Sequence, residues 1–334
     1  MVSQVHQVPA WLVHALVWLE RYIAPNSAPN SSTRPPGREA TRLRRPGQLQ
    51  PIEFGIGSKG LWGFSSQSRH ASWVGLQMTD GQHHYQALVA EYWDLLRGDT
   101  SNWASRPYFL GLIRESGEPA LDVACGTGRL LLDYLQEGVD IDGVDISPEM
   151  INHARENARR AGLSPNLYVQ AMQALELPRT YRTIIVPSSS FLHLTSRLDA
   201  DLALRRFLHH LEPGGLLAMS MRIMDASEIE IDWDLEAEAV RPGDGATVRR
   251  WFRCRYDPHK RLQHTEDRYE VVLDGQIVQS ESYISSPFLT WYSLAQALDL
   301  LRSNGFVDVR AHSDFKFEPA SDQDTSYIVL GNRP

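Results

Sequence analysis

The residues best placed to do chemistry lie in one stretch, Ala120-Leu121-Asp122-Val123-Ala124-Cys125-Gly126-Thr127-Gly128-Arg129. Ala120 to Ala124 suits a buried strand whose one polar residue is Asp122. Gly126 and Gly128 carry no Cβ, so the backbone there can approach a ligand closely. A helix opening at about Arg129 aims its unpaired N–H groups at the same turn. Some way further on, Val139-Asp140-Ile141-Asp142-Gly143-Val144-Asp145 reads as a strand ending in a carboxylate. That is where a ribose diol lies in a βαβ nucleotide site. Backbone amides and a carboxylate around one turn are the means of holding a nucleotide-like ligand. A dinucleotide fingerprint needs a third glycine three residues after Gly128, and Leu131 stands there.

The flanking elements follow from pattern and punctuation. Tyr85 to Arg97 has helical spacing of Tyr85, Leu88, Val89, Tyr92, Trp93, Leu95 and Leu96, and Tyr108 to Arg114 continues helical. The helix after the glycine turn runs to about Gln136 and stops at Gly138, a C-terminal cap. Ser147-Pro148-Glu149-Met150 starts the next helix with a serine cap, a proline in the first turn and an acid behind it. A third strand is predicted over Leu167 to Gln170, a fourth over Arg182 to Pro187, a helix over Ser196 to Leu211 and a fifth strand over Leu216 to Met221. Residues 222–289 break the alternation. Thr247 to Tyr256, Leu262 to Leu273 and Gln276 to Ile284 read as three antiparallel strands, with turn chemistry at Asp257-Pro258-His259-Lys260 and Asp274-Gly275. A last helix from Thr290 to Asn304 precedes two strands, Phe306 to Ala311 and Thr325 to Leu330, the final one antiparallel to the rest.

The D-V-A-C-G-T-G-R run followed by G-V-D-I-S resembles the nucleotide-binding motifs of class I S-adenosylmethionine-dependent methyltransferases of the small-molecule type. The resemblance extends from about Tyr85 to the C-terminus, and Leu-x-Pro-Gly-Gly before the fifth strand adds to it. It implies an α/β fold: a Rossmann-like, doubly wound sheet of seven mostly parallel strands, the last antiparallel, with an inserted antiparallel β-region. It implies S-adenosyl-L-methionine as cofactor, with cofactor-side residues Tyr92, Asp122, Ala124, Gly126, Gly128, Asp145, Ile146, Met150, Met172, Gln173 and Ser188. In that reading Gly126 and Gly128 admit the ribose and amino-acid portion, Asp145 accepts the ribose hydroxyls, and Ile146 and Met172 sandwich adenine. Asp122 either orients the turn or receives the ammonium through water. Ser188 or Ser189 borders the transfer channel, and Tyr85, Tyr92 and Trp93 are candidates for an aromatic lid. Two departures matter. Ala171 and Met172 replace the acid that the family turns toward the adenine amino group. The N-P-P-[YF] tetrad is absent after the fourth strand, where Ser188-Ser189-Ser190-Phe191 stands.

The sulfonium makes the cofactor's methyl group electrophilic, so the protein's task is in-line placement of a nucleophile. Such positioning is worth roughly 7–11 kcal/mol. His193, just after the fourth strand, is the candidate catalytic base. The pairs His83-His84 and His209-His210 lack metal-ligand spacing, and no metal is expected. Asp225, Glu228 and Glu230 read as a solvated face or an attraction for a cationic acceptor. The expected reaction is methyl transfer to nitrogen or oxygen of a small molecule. A protein or RNA acceptor, a non-catalytic nucleotide-binding module and an NAD-dependent oxidoreductase are the alternatives.

Charge bounds the partners. The net charge of −8 divides unevenly: residues 1–77 hold eight basic and three acidic side chains, the remainder 25 and 38. An acidic catalytic region repels nucleic-acid phosphates and favours a small-molecule acceptor. Two cysteines, Cys125 and Cys254, fit a reducing, cytoplasmic setting. Val8 to Ile23 is the nearest thing to a membrane span, but His14, Glu20 and Arg21 interrupt it. Residues 1–77 are rich in Pro, Ser, Gly and Arg and read as a disordered N-terminal extension. Residues 78–334 form the methyltransferase-like domain, and Met78 is a candidate natural start. The resemblance implies that the 222–289 insertion covers the active site or builds a homodimer contact.

Overall fold

The structure is a computed structural model and describes residues 85–224 and 230–334. The expectations for residues 1–77, for Met78, for His83-His84 and for Asp225 and Glu228 lie outside the described residues. Among the described residues no helix is long and apolar enough to cross a membrane.

Helices α1 (Ala87–Arg97) and α2 (Ser105–Ser116) precede the first strand. Strands β1 (Ala120–Val123), β2 (Ile141–Asp145), β3 (Leu167–Val169), β4 (Tyr181–Val186) and β5 (Leu211–Arg222) then alternate with α3 (Arg129–Gln136), α4 (Pro148–Arg160) and α5 (Arg197–His210). After the inserted strands come α6 (Leu294–Ser303), β10 (Val307–Ser313) and β11 (Ser326–Asn332). One seven-stranded sheet results, in the order β10-β11-β5-β4-β1-β2-β3. Strand β11 pairs antiparallel with β5 and β10, and β1 to β5 pair parallel. Both faces are covered, as a parallel sheet requires. Tyr108, Phe109, Leu112 and Ile113 of α2 with Leu130, Leu131 and Tyr134 of α3 pack on one face. Ala203, Leu204 and Phe207 of α5 with Ala297, Leu300 and Leu301 of α6 pack on the other. The chain order reverses beside β1, between its neighbours β2 and β4, so the crevice of this sheet opens at the C-terminal ends of β1 and β4.

The inserted region is a separate antiparallel sheet of four strands, not three: β6 (Glu230–Val240), β7 (Thr247–Asp257), β8 (Leu262–Leu273) and β9 (Gln276–Thr290), in that order. The additional strand, β6, has the sequence E-I-D-W-D-L-E-A-E-A-V. Its acids and alanines are poor strand formers, and pairing with β7 holds it extended. The last helix also starts later than expected. Thr290 closes β9, and Ser293 caps α6 in a reciprocal capping box with Gln296. Helix α1 lies between the two sheets, with Leu88, Val89 and Tyr92 packed on Ala246, Val248, Tyr269 and Val271 of the inserted region.

Candidate functional site

The site begins where β1 runs into α3. Ala124, Gly126 and Gly128 all have positive φ, at 59°, 56° and 91°. Glycine adopts this region without strain. The Gly128 N–H donates to the Cys125 carbonyl at 3.0 Å and closes the turn. A Cβ at Gly128 would stand 3.0 Å from Leu132 Cγ, whereas one at Gly126 would meet no atom within 4 Å. Gly128 is therefore needed for packing, and Gly126 leaves the backbone bare toward the crevice. Behind the turn, a Cβ at Gly143 of β2 would lie 2.8 Å from Leu131 Cδ2 and 3.0 Å from Cys125 Sγ. The glycine in β2 lets the turn seat against the sheet.

Two buried carboxylates flank this turn. Asp145 Oδ2 accepts the Gly126 N–H at 2.8 Å, and Oδ1 accepts the Ser147 N–H at 2.9 Å. Burial raises its pKa, and the amides of Ser147, Gly126 and Ile146 oppose that rise. Asp122 is 1% exposed, and its Oδ1 has no hydrogen-bond partner. Burial pushes its pKa up to about 7; Arg129 and the Leu131 amide pull it down, and Asp145 adds to the rise. An unsatisfied buried carboxylate oxygen is costly, and such atoms cluster where a ligand completes them.

Side chains clamp the turn from outside. Asp94 of α1 accepts from Thr127 Oγ1 at 2.6 Å and from Asn157 Nδ2 of α4 at 3.0 Å. Ser147 Oγ donates to the Tyr85 carbonyl at 2.6 Å while accepting the Met150 N–H at 3.1 Å. Glu149 Oε2 accepts the Ala87 N–H at 2.5 Å. The beginning of α1 is thus fastened to the beginning of α4, and its middle to the glycine turn. Across the crevice, Arg129 donates to Ser105 Oγ and Ser188 Oγ, at 3.1 and 3.2 Å, with its guanidinium 4.7 Å from the Trp103 ring centre.

Most residues singled out from the sequence converge here. Ile146 is exposed just beyond Asp145, and Met150 is buried in the first turn of α4. Met172 and Gln173 are half-buried in a short 3-10 turn. Gln170 braces that loop by exchanging two hydrogen bonds with the backbone of Glu176, at 3.0 and 2.7 Å. Ser188 and Ser189 both have φ 56°, a strained pair at the end of β4. His193 is half-buried; its Nε2 lies 3.4 Å from the Tyr85 hydroxyl and its ring stands edge-on to Phe288 at 4.8 Å. Tyr92 is placed apart from the turn: it packs against the four-stranded sheet, where its hydroxyl accepts from Arg241 Nη1.

The four-stranded sheet supplies a second wall that sequence reasoning did not name. On its inner face Arg250 and Asp267 form an ion pair at 2.7 Å, both largely buried. The Tyr85 hydroxyl joins the two walls. Its pKa is pushed up to about 12 by burial, with Arg250 and Asp267 on one side and Asp145 and Arg97 on the other within electrostatic reach. On the outer face the Arg253 and Arg268 guanidiniums each lie 4.9 Å from the Trp233 ring centre. Asp94, Asn157, Arg250 and Asp267 were not identified from the sequence. The helix positions carry no signature, and the strand positions depend on register.

Residues 120–215 match the family model of a methyltransferase domain. The matched segment holds the glycine turn, Asp122 and Asp145. The class I resemblance drawn from the glycine turn and Asp145 is borne out. The chain is 33% identical over 166 residues to dTDP-3-amino-3,4,6-trideoxy-alpha-D-glucopyranose N,N-dimethyltransferase of Streptomyces venezuelae, covering 50% of this chain and 61% of that protein. It is 30% identical over 165 residues to glycine N-methyltransferase of Mus musculus, covering 45% and 54%. The chain therefore spans little more than half the length of these relatives. In fold, the chain is similar to the sugar N-methyltransferase KedS8 of Streptoalloteichus sp ATCC 53650. The TM-score is 0.59 at 18% identity, over 84% of this chain and 99% of that one.

Proposed function

We propose that the protein is an S-adenosylmethionine-dependent methyltransferase that methylates nitrogen of a small-molecule acceptor. The observation that carries this reading is the pair formed by the bare backbone at Gly126 and the unsatisfied buried oxygen of Asp122. A ligand with an ammonium group, a ribose diol and a flat base fits the residues present. Asp122 Oδ1 receives the ammonium, directly or through water. Asp145 Oδ2 accepts the Gly126 N–H and Oδ1 the Ser147 N–H, and the carboxylate's remaining acceptor capacity is available to a ribose hydroxyl. Ala124, Gly126 and Gly128 present backbone, Ile146 and Met172 offer apolar faces to the base, and Met150 and Gln173 support them. Ser188 borders the crevice beside Arg129. Of the lid candidates, Tyr85 is the one fastened to this region, through Ser147. When bound, the cofactor supplies a methyl group already activated by its sulfonium.

The protein's own part is to exclude water, align the acceptor and leave its nitrogen unprotonated. His193, in the 3-10 turn after β4 and beside Tyr85, is the side chain we assign to carrying the acceptor's proton away. Nitrogen is favoured over oxygen by the relatives, a sugar N,N-dimethyltransferase and glycine N-methyltransferases. A small molecule is favoured over nucleic acid by the acidic balance of residues 78–334. The test is transfer of a labelled methyl group from S-adenosylmethionine to a panel of amines and matched alcohols, including glycine and amino sugars. Label on nitrogen supports the reading, and label confined to hydroxyl compounds overturns the nitrogen assignment.

A further inference from the structure

The inner face of the four-stranded sheet carries a carboxylate that neither the fold nor the cofactor reading uses. Glu236 sits in β6 at a register shift: Leu235 pairs with Trp251, and Ala237 pairs with the adjacent Arg250. Two steps along β6 therefore match one along β7, which makes Glu236 the extra residue of a β-bulge. Bulges re-aim side chains and are common beside active sites. Here the bulge turns Glu236 to the inner face, within electrostatic reach of Arg250, Asp267, Asp234 and Arg222. Arg222 ends β5, on the crevice side of the seven-stranded sheet, and Arg250 and Asp267 are among the charges felt by the Tyr85 hydroxyl. Glu236 is half-buried and takes part in no hydrogen bond or ion pair with a described residue. Arg250 is already committed to Asp267. On the same face, two residues along β8 from Asp267, Thr265 Oγ1 is buried with no partner.

A half-buried carboxylate without a partner is unfavourable unless something cationic completes it. We propose that Glu236 receives the amine of the acceptor opposite the methyl donor, and so selects a cationic amine as substrate. This inference rests on the methyltransferase reading. The acceptor arrives as an ammonium and pairs with the Glu236 carboxylate. One N–H proton then passes to the carboxylate, which becomes the neutral acid, and the bonding pair stays on nitrogen as the lone pair needed for attack. Burial favours that neutral pair over separated charges and holds the Glu236 carboxyl above its ordinary pKa, with Asp267 and Asp234 adding to the rise and Arg250 and Arg222 opposing it. His193 then serves as a relay near Tyr85, and the first proton acceptor is Glu236.

The experiment can be done before the acceptor is identified. Sinefungin differs from S-adenosylhomocysteine in carrying an amine where the methyl group of the donor would stand, so its ammonium probes the acceptor-facing carboxylate. Both ligands are titrated calorimetrically into the full chain and into Glu236→Gln and Glu236→Asp. The wild type should prefer sinefungin by about tenfold, as one charge-assisted contact predicts. Glu236→Gln should abolish that preference while leaving affinity for S-adenosylhomocysteine unchanged, and Glu236→Asp should restore part of it. An unchanged preference in Glu236→Gln overturns the assignment. Failure of the wild type to bind S-adenosylhomocysteine at all overturns the cofactor reading instead, and this proposal with it.

Discussion

The glycine turn and the inner face of the four-stranded sheet both bury charge, but they stabilise it differently. At the turn, Asp145 is held by backbone amides two residues ahead and at Gly126. On the sheet, Arg250 and Asp267 hold one another across neighbouring strands. The first arrangement depends on local backbone geometry, which a short motif specifies. The second depends on which residues of β7 and β8 face each other, which only register decides. In the proposed reading the turn takes the invariant methyl donor, and the sheet takes the acceptor that varies between enzymes.

Breaking the sheet's pair should have the largest effect. Arg250→Met leaves Asp267 buried and uncompensated and is expected to cost about 3–5 kcal/mol in urea denaturation. Adding Asp267→Leu should recover most of it, because two apolar residues replace the pair without an unpaired charge. A single-variant loss below about 1 kcal/mol would mean that water reaches the pair and that the contrast between the regions is overstated.

The turn should respond in the opposite sense. Asp122 has its pKa raised from its unfolded value to about 7. The folded state therefore binds this proton more tightly than the unfolded state, and stability falls as pH rises from about 4 through 7. Asp122→Asn should then stabilise the free protein at pH 8 by roughly 2–4 kcal/mol and change little at pH 4. The same variant should weaken binding of S-adenosylhomocysteine at pH 8. Equal denaturation midpoints for the two proteins across that range would contradict the unsatisfied, ligand-facing role given to Asp122.

Smaller effects separate scaffold from site. Gly143→Ala puts a Cβ against Leu131, Leu167 and Cys125 and should cost about 1–3 kcal/mol by overpacking. Ligand affinity per folded molecule should be unchanged, since Gly143 stands behind the turn. Tyr85→Phe should change stability by less than about 1 kcal/mol, because its 3.4 Å contact with His193 is a long one. Its effect should appear in the pH profile of methyl transfer, and a profile identical to the wild type would remove Tyr85 from the site.

These contrasts also explain what was legible in the sequence. The seven-stranded sheet was readable because a glycine turn, a serine-proline helix start and short apolar runs fix local conformation. Asp145 and Asp122 were readable because both lie in those motifs. Strand β6 was missed because its Glu/Ala composition argues against extended structure, and Glu236 was missed with it. Asp94 and Asn157 were invisible because two polar residues on separate helices meet the turn only through tertiary packing. Tyr92 shared helical spacing with Tyr85, yet the two ended on different partners: Tyr85 near His193, Tyr92 under Arg241. Spacing shows that residues share a helix face but not what that face meets.

The central claim is that the glycine turn with Asp122 and Asp145 is a methyl-donor site. Calorimetric titration of the protein with S-adenosylhomocysteine and, separately, with NAD tests it most directly, with Asp145→Asn as the control. The account predicts micromolar binding of S-adenosylhomocysteine, weakened at least about tenfold in Asp145→Asn by loss of one acceptor charge, and no binding of NAD. No heat with S-adenosylhomocysteine, or tighter binding of NAD, would contradict it and return the turn to a purely structural role.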